Sequence, residues 1–284
     1  MIFAMGFGLL ISVYSLRSRD TNIYYGSLLL TIGGSAGILL SNHLLALLIF
    51  WEIVTVSLYL LITTGKENSN FAATKSFAMI GASDAAFLLG VAMVWVASGT
   101  FVISDINLPA TSAVSIIAFL LLMIAAITKA GAMPLHTWLP TSGQYAPVSV
   151  MALLPAAMDK LLGIYLLVII VRQIFLLQHG ALTIILALIG AVTIIVAVMI
   201  AMVQHNLKKL LSYHAISQVG YMVLGIATLT LSGLSAVYST CSTMQYINAV
   251  CFYVAVLLKP LPEPLNWKDS AAWAKKCLLL SRHV

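Results

Sequence analysis

The sequence predicts an all-α protein: a polytopic bundle of transmembrane helices, one of which is discontinuous. Composition, run length and proline placement carry this prediction. Of 284 residues, 62% are hydrophobic and 8% charged, whereas about a quarter are charged in a soluble domain. The apolar residues gather into runs near the roughly 20 residues that a membrane-crossing helix needs. Pro134, Pro140 and Pro147 fall where a helix would otherwise continue. Membrane β-strands are shorter and alternate in polarity, and these runs do neither.

The runs lie at 1–16, 22–41, 43–64, 71–98, 112–130, 145–171, 180–203 and 208–230, with a weaker one at 236–258. Each is apolar enough to be a helix in lipid. The first lacks a basic leader, so it is not read as a cleaved signal peptide. Arg17 and Arg19 follow the first run, Lys66 the third, and Lys208 and Lys209 the seventh. All of these fall on one side if the stretch 112–144 crosses once, and Arg172 falls on the other. Basic residues stay on the cytoplasmic side, which orients the bundle. The formal charge of +6 therefore orients helices in the lipid bilayer, and no nucleic-acid partner is expected. The predicted location is the cell inner membrane, multi-pass.

The stretch Lys129-Ala-Gly-Ala-Met-Pro134-Leu-His136-Thr-Trp138-Leu-Pro140-Thr-Ser-Gly143-Gln-Tyr-Ala-Pro147 interrupts the pattern. Each proline removes a backbone donor and clashes with the preceding turn. Irregular backbone at membrane depth survives only when buried in protein or lining a wet cavity. Broken helices of this kind mark ion sites in transporters.

Charges inside apolar runs are the next signal. A charge near a helix centre costs about 2.5–3.5 kcal/mol on insertion, so each needs a reason. Glu52 lies between apolar neighbours in Phe50-Trp51-Glu52-Ile-Val, and Lys129 ends an apolar run at the break. Lysine suits a proton relay: burial disfavours its charged form, and an approaching carboxylate restores it. Arginine would stay protonated throughout. The other reading of Glu52 and Lys129 is a static ion pair that ties helices together. Asp159 and Lys160 are adjacent, so they point to different faces of one helix; Lys160 either faces the interior or snorkels. Lys75 sits near a run's end. Asp84 is deeper, and fits capping or packing as well as transport. His136 follows the break, His205 falls in a loop, and His214 starts a later run.

No glycine-rich phosphate loop or dinucleotide fingerprint occurs. Cys241, Cys251 and Cys277 show no ligand spacing, so no cofactor, metal, cluster or disulfide is expected.

The stretch Lys129-Ala-Gly-Ala-Met-Pro-Leu-His-Thr-Trp-Leu-Pro resembles the K-x-x-x-x-P-L/F-H-x-W-L-P hallmark of antiporter-like membrane subunits. These serve complex I, multisubunit Na⁺/H⁺ antiporters and energy-converting membrane-bound hydrogenases. Phe50-Trp51-Glu52 resembles the family's glutamate helix. Leu207-Lys208-Lys209-Leu-Leu-Ser-Tyr213-His214-Ala-Ile-Ser217-Gln218-Val-Gly220-Tyr221 resembles its D-x-K-K/R-L-L-A-Y-H/S-S/A-I-S-Q-x-G motif. The resemblance covers residues 20–230. It implies that Glu52 and Lys129 form the pump's modulating ion pair, and that 112–144 is the discontinuous helix. Many members carry a histidine near where this chain has Pro155; the run Leu-Leu-Pro155-Ala-Ala-Met-Asp159-Lys160 looks more like the hydrogenase-associated branch.

The proton-relay candidates are therefore Glu52, Lys129, Lys160, Asp159, His136 and His214. The expected function is proton or sodium translocation. The chain would be a subunit of a hydrogenase- or NADH-quinone-oxidoreductase-type membrane complex, with other membrane subunits as partners and no redox centre of its own. The alternatives are a subunit of a stand-alone multisubunit cation/proton antiporter and a non-functional gene remnant.

Residues 1–234 are read as a partial antiporter-like domain, expected to start late and stop early relative to the family. Residues 235–284 are expected to be out of frame, because the family pattern lapses there. In one shifted frame, 235–251 can encode F-H-x-x-N-N-A-x-x-K and 258–277 can encode L-x-x-L-G-G-L-x-K-x-M. Both resemble the family's next segments. The alternative is a divergent tail.

Overall fold

The computed structural model describes residues 6, 22–65, 67–153 and 158–243. Apart from Gly6, the first run lies outside the described residues, as do Arg17, Arg19, Lys66, Pro155, Cys251, Cys277 and the tail beyond 243. In chain order the helices are α1 (Asn22–Leu40), α2 (Leu44–Thr63), α3 (Ser69–Ser98), α4 (Ala113–Ala130), α5 (Trp138–Tyr145), α6 (Val148–Leu153), α7 (Asp159–Ile169), α8 (Ala181–Met202) and α9 (Leu207–Ala227). A further helix, α10, covers 231–243. The architecture is the all-α polytopic bundle that the apolar runs predict. Six of the described helices, α1 to α4, α8 and α9, are long and apolar enough to cross a membrane.

The run 145–171 is not one helix. Ala146, just before Pro147, is extended at φ −69 and ψ 156, because the proline ring excludes helical geometry from the residue before it. The chain restarts as the short α6. After α7 the winding loosens into a π turn over Ile170–Ile174.

Two sets of contacts define the ends of the bundle. At one end the α1–α2 turn meets the loop after α3: Leu44 N donates to Phe101 O at 2.9 Å and Ile103 N to Asn42 O at 2.9 Å. Leu108 N reaches Ile174 O at 2.9 Å, and Arg172 donates to Leu229 O at 2.8 Å. At the other end Lys208 Nζ donates to Ala146 O at 3.2 Å. Arg172 thus lies opposite Lys208 and Lys209, as the charge pattern predicts.

Apolar surface faces outward, as it must in lipid. α8 carries no charged residue, and its Ile184, Leu188, Ile195 and Met199 are all exposed. Buried hydroxyls return to their own helix: Thr31 Oγ1 donates to Ser27 O at 2.8 Å and Ser35 Oγ to Thr31 O at 2.7 Å. Such back-bonding keeps polar groups satisfied where no water reaches.

Close packing of α7 on α4 positions the site. A Cβ at Gly163 would stand 2.6 Å from both Ala126 O and Ala130 N. These are backbone atoms, so a side chain there must push the two helices apart. Gly163→Ala is expected to destabilise the bundle by about 1–3 kcal/mol. Thermal unfolding of the detergent-solubilised protein would show it, and an unchanged midpoint would refute the contact.

Candidate functional site: a buried lysine at a broken helix

α4 ends on Gly131, whose φ of 84 is left-handed, a conformation glycine adopts without strain. Its N–H bonds Ile127 O and Thr128 O, each at 3.0 Å, and Ala132 N bonds Ile127 O at 2.8 Å. This is a glycine C-cap that stops the helix one residue beyond Ala130. The irregular segment 131–137 is sewn in by side chains. Trp138 Nε1 donates to Thr128 O at 3.0 Å, and Met133 N donates to Thr193 Oγ1 at 3.1 Å. The discontinuous helix predicted from the prolines is thus α4, this break and α5.

Lys129 occupies the last turn of α4 and is 0% exposed. Its Nζ donates to Trp51 O at 3.1 Å and to Thr55 Oγ1 at 2.8 Å, both on α2. It also lies 4.4 Å from the centroid of the Trp51 ring, within cation–π range. Asp84 on α3 is buried at 3% exposure. It accepts from Trp51 Nε1 at 2.7 Å and from Thr55 Oγ1 at 3.0 Å. Trp51 and Thr55 are one helical turn apart, so both face the same way. Together they connect the ammonium to the carboxylate.

Of the residues predicted from sequence, Lys129 is central. Glu52 is not in this cluster. It is exposed on α2, in a stripe with Leu45, Ile49 and Val56, all exposed. Among the described residues no hydrogen bond or ion pair joins it to Lys129. Asp159 and Lys160 are both buried, at 0% and 2% exposure. Neither the Asp159 carboxylate nor Lys160 Nζ meets a hydrogen-bond partner among the described residues. His136 is half-buried, with Nδ1 3.2 Å from Pro134 O and its ring 6.2 Å from that of Tyr213. His214 is half-buried on α9. Lys75 is half-buried and donates to Thr141 Oγ1 at 2.9 Å, so it ties α3 to α5. His205 is exposed in the turn before α9.

Asp84 is the residue that the sequence left open between packing and transport. Its signal was the i, i+4 pair Trp51 and Thr55: an indole and a hydroxyl beside Glu52, both buried donors in need of an acceptor. Among the described residues no group of His, Cys, Asp and Glu is arranged to hold a metal ion.

Residues 41–260 match the family model for the NADH:quinone oxidoreductase/Mrp antiporter transmembrane region. The chain belongs to this family. It is 28% identical over 244 residues to the chloroplastic NAD(P)H-quinone oxidoreductase chain 4 of Ipomoea purpurea, covering 84% of this chain and 48% of that protein. It is 30% identical over 223 residues to an Na(+)/H(+) antiporter subunit of Alkalihalophilus pseudofirmus, covering 75% of this chain and 44% of the relative. The structure of the Mrp complex from Dietzia sp. superposes with a TM-score of 0.82 at 26% identity, covering 88% of this chain and 28% of that one. The chain spans about half the length of the curated relatives it matches. Family membership and the apolar helices together make it a multi-pass membrane protein.

Asp84→Ala would leave the buried Lys129 ammonium without the carboxylate that Thr55 and Trp51 connect to it. Removing one partner of a buried ionic network costs about 3–5 kcal/mol. Thermal unfolding should report a loss of that order, with a smaller one for Asp84→Asn. Equal stability of Asp84→Ala and the unaltered protein would contradict the network.

Proposed function

We infer that this chain is an ion-translocating subunit of a larger membrane complex, moving H⁺ or Na⁺ and driven by a partner redox module. The observation that carries the reading is Lys129. It is a fully buried lysine at a broken helix, linked to the Asp84 carboxylate through Thr55 and the Trp51 backbone and indole. An ordinary structural lysine would reach the lipid headgroups. This one ends in a closed polar cluster at the point where the helix is interrupted, as in transporter ion sites.

The remaining charges support lateral passage. Asp159 and Lys160 supply a second buried acid and base on α7. Glu52 sits midway along α2 on an outward apolar stripe. A carboxylate facing lipid there would cost about 2.5–3.5 kcal/mol, so this stripe suits a partner membrane subunit that covers it. His136, in the break before α5, and His214, on α9, are half-buried and serve as peripheral relay groups. The name of the Ipomoea relative favours a quinone-reducing complex. The second reading, a stand-alone cation/proton antiporter, rests on the 30% identity to an Na(+)/H(+) antiporter subunit.

In the complex that carries this chain, Lys129→Ala is expected to abolish ion pumping in proteoliposomes and to leave subunit assembly largely intact. Pumping at the unaltered rate would sink the relay. Acidification that requires Na⁺ and no electron donor would favour the antiporter; acidification that requires turnover of a redox partner would favour the redox complex.

A further inference from the structure

Lys129 and Asp84 do not touch. No direct hydrogen bond joins them among the described residues, and the hydroxyl of Thr55 stands between. Thr55 is 1% exposed. Its Oγ1 has three polar neighbours: Lys129 Nζ at 2.8 Å, Asp84 Oδ2 at 3.0 Å and Trp51 O at 3.2 Å. A hydroxyl has one hydrogen to donate and lone pairs to accept with. Of the three neighbours, the ammonium can only donate and the Trp51 carbonyl can only accept. Oγ1 therefore accepts from Lys129, and its single hydrogen goes to Asp84 or to Trp51 O.

The geometry points to Thr55 as the proton bridge of this site, a catalytic hydroxyl that carries a proton between Lys129 and Asp84. The inference rests on the relay reading above. As the Thr55 hydrogen passes to Asp84 Oδ2, Oγ1 takes a proton from Lys129 Nζ. One N–H bond and one O–H bond break; an O–H bond forms on Thr55 and another on Asp84. Lys129 ends as a neutral amine, Asp84 as a carboxylic acid, and Thr55 is chemically unchanged. Both donor–acceptor distances are already in hydrogen-bond range, so no heavy atom has to travel.

The Trp51 carbonyl gives the hydroxyl a second orientation. With its hydrogen turned to Trp51 O, Thr55 no longer donates to Asp84 and the bridge is open. Rotation about one C–O bond switches between the two. Trp51 is a positioning residue in this scheme: its Nε1 holds Asp84 Oδ1 and its carbonyl holds Lys129. A plain helix-packing role explains only the 3.2 Å bond to Trp51 O. It leaves unexplained why the same oxygen meets both the buried base and the buried acid.

The test compares Thr55→Val and Thr55→Ser with Lys129→Ala in the reconstituted complex, reading acidification with a pH-sensitive dye and integrity by thermal unfolding. Valine keeps the branched shape and removes the hydroxyl; serine keeps the hydroxyl and removes the methyl. Thr55→Val is expected to slow pumping by about 10²-fold, the scale of one positioned proton-transfer group. Thr55→Ser is expected to retain pumping even if it loses some stability. If Thr55→Val does not assemble, Thr55→Ala replaces it, with serine as the rescue. Unaltered pumping in Thr55→Val alongside a dead Lys129→Ala would overturn the bridge and leave the relay standing. Equal loss in the valine and serine variants would also overturn it, as a packing defect. Active pumping in Lys129→Ala would overturn the relay itself.

Discussion

The burial of the Lys129 ammonium is the constraint on which the rest of the structure depends. A charge placed in a low-dielectric interior is tolerated only when paired and hydrogen-bonded. Here the partners come from two other helices. α2 supplies a carbonyl, a hydroxyl and an aromatic face through Trp51 and Thr55. α3 supplies the carboxylate of Asp84. The register of α2 against α3 and α4 follows from this, because a shift of one residue would turn Trp51 and Thr55 away from both charges. The edge-on contact between Trp51 and Phe87, at 5.2 Å between centroids, further holds the indole.

The break after Lys129 belongs to the same arrangement. A helix that ended at this depth without a cap would expose carbonyls to lipid. Gly131 turns the chain, and its N–H and that of Ala132 return to α4. Trp138, the first residue of α5, covers the Thr128 carbonyl. The residues that end α4 are therefore supplied by the motif itself, and Thr193 of α8 satisfies the next free donor. Lys129 is left at the seam between two half-helices. α5 in turn is held from both flanks: by Lys75 and Ser76 of α3 through Thr141 and Ser142, and by Lys208 of α9 beyond its C-terminus.

The other embedded charges differ in kind. Asp159 and Lys160 are buried and lack hydrogen-bond partners among the described residues, an arrangement costly for a purely structural role. Glu52 has the opposite surroundings, an outward stripe of apolar residues. A carboxylate in the middle of such a face is costly against lipid. The α8 face has no such charge and is suited to lipid.

Much of this was legible from the chain alone, for physical reasons. Bilayer thickness sets helix length, so the apolar runs located α1 to α4, α8 and α9 to within a few residues. Proline geometry is local, so Pro134 marked the break between Lys129 and Trp138 and Pro147 the end of α5, whereas Pro140 is accommodated in the first turn of α5, where no donor to the preceding turn is needed. The insertion cost of charge singled out Lys129, Asp159 and Lys160, which are all buried. What only the tertiary structure decided is which groups meet. The family resemblance implies Glu52 as the partner of Lys129, whereas α2 is rotated so that Trp51 and Thr55 face inward and Glu52 outward. The acid at the lysine is Asp84, from a helix whose rotation no local rule determines. The interruption of 145–171 was likewise hidden, because apolar residues look alike in a continuous helix and in a restarted one. Sequence determines how many helices the bilayer can hold and which charges need an explanation; only packing, which sets each helix's rotation about its own axis, decides which charges face one another.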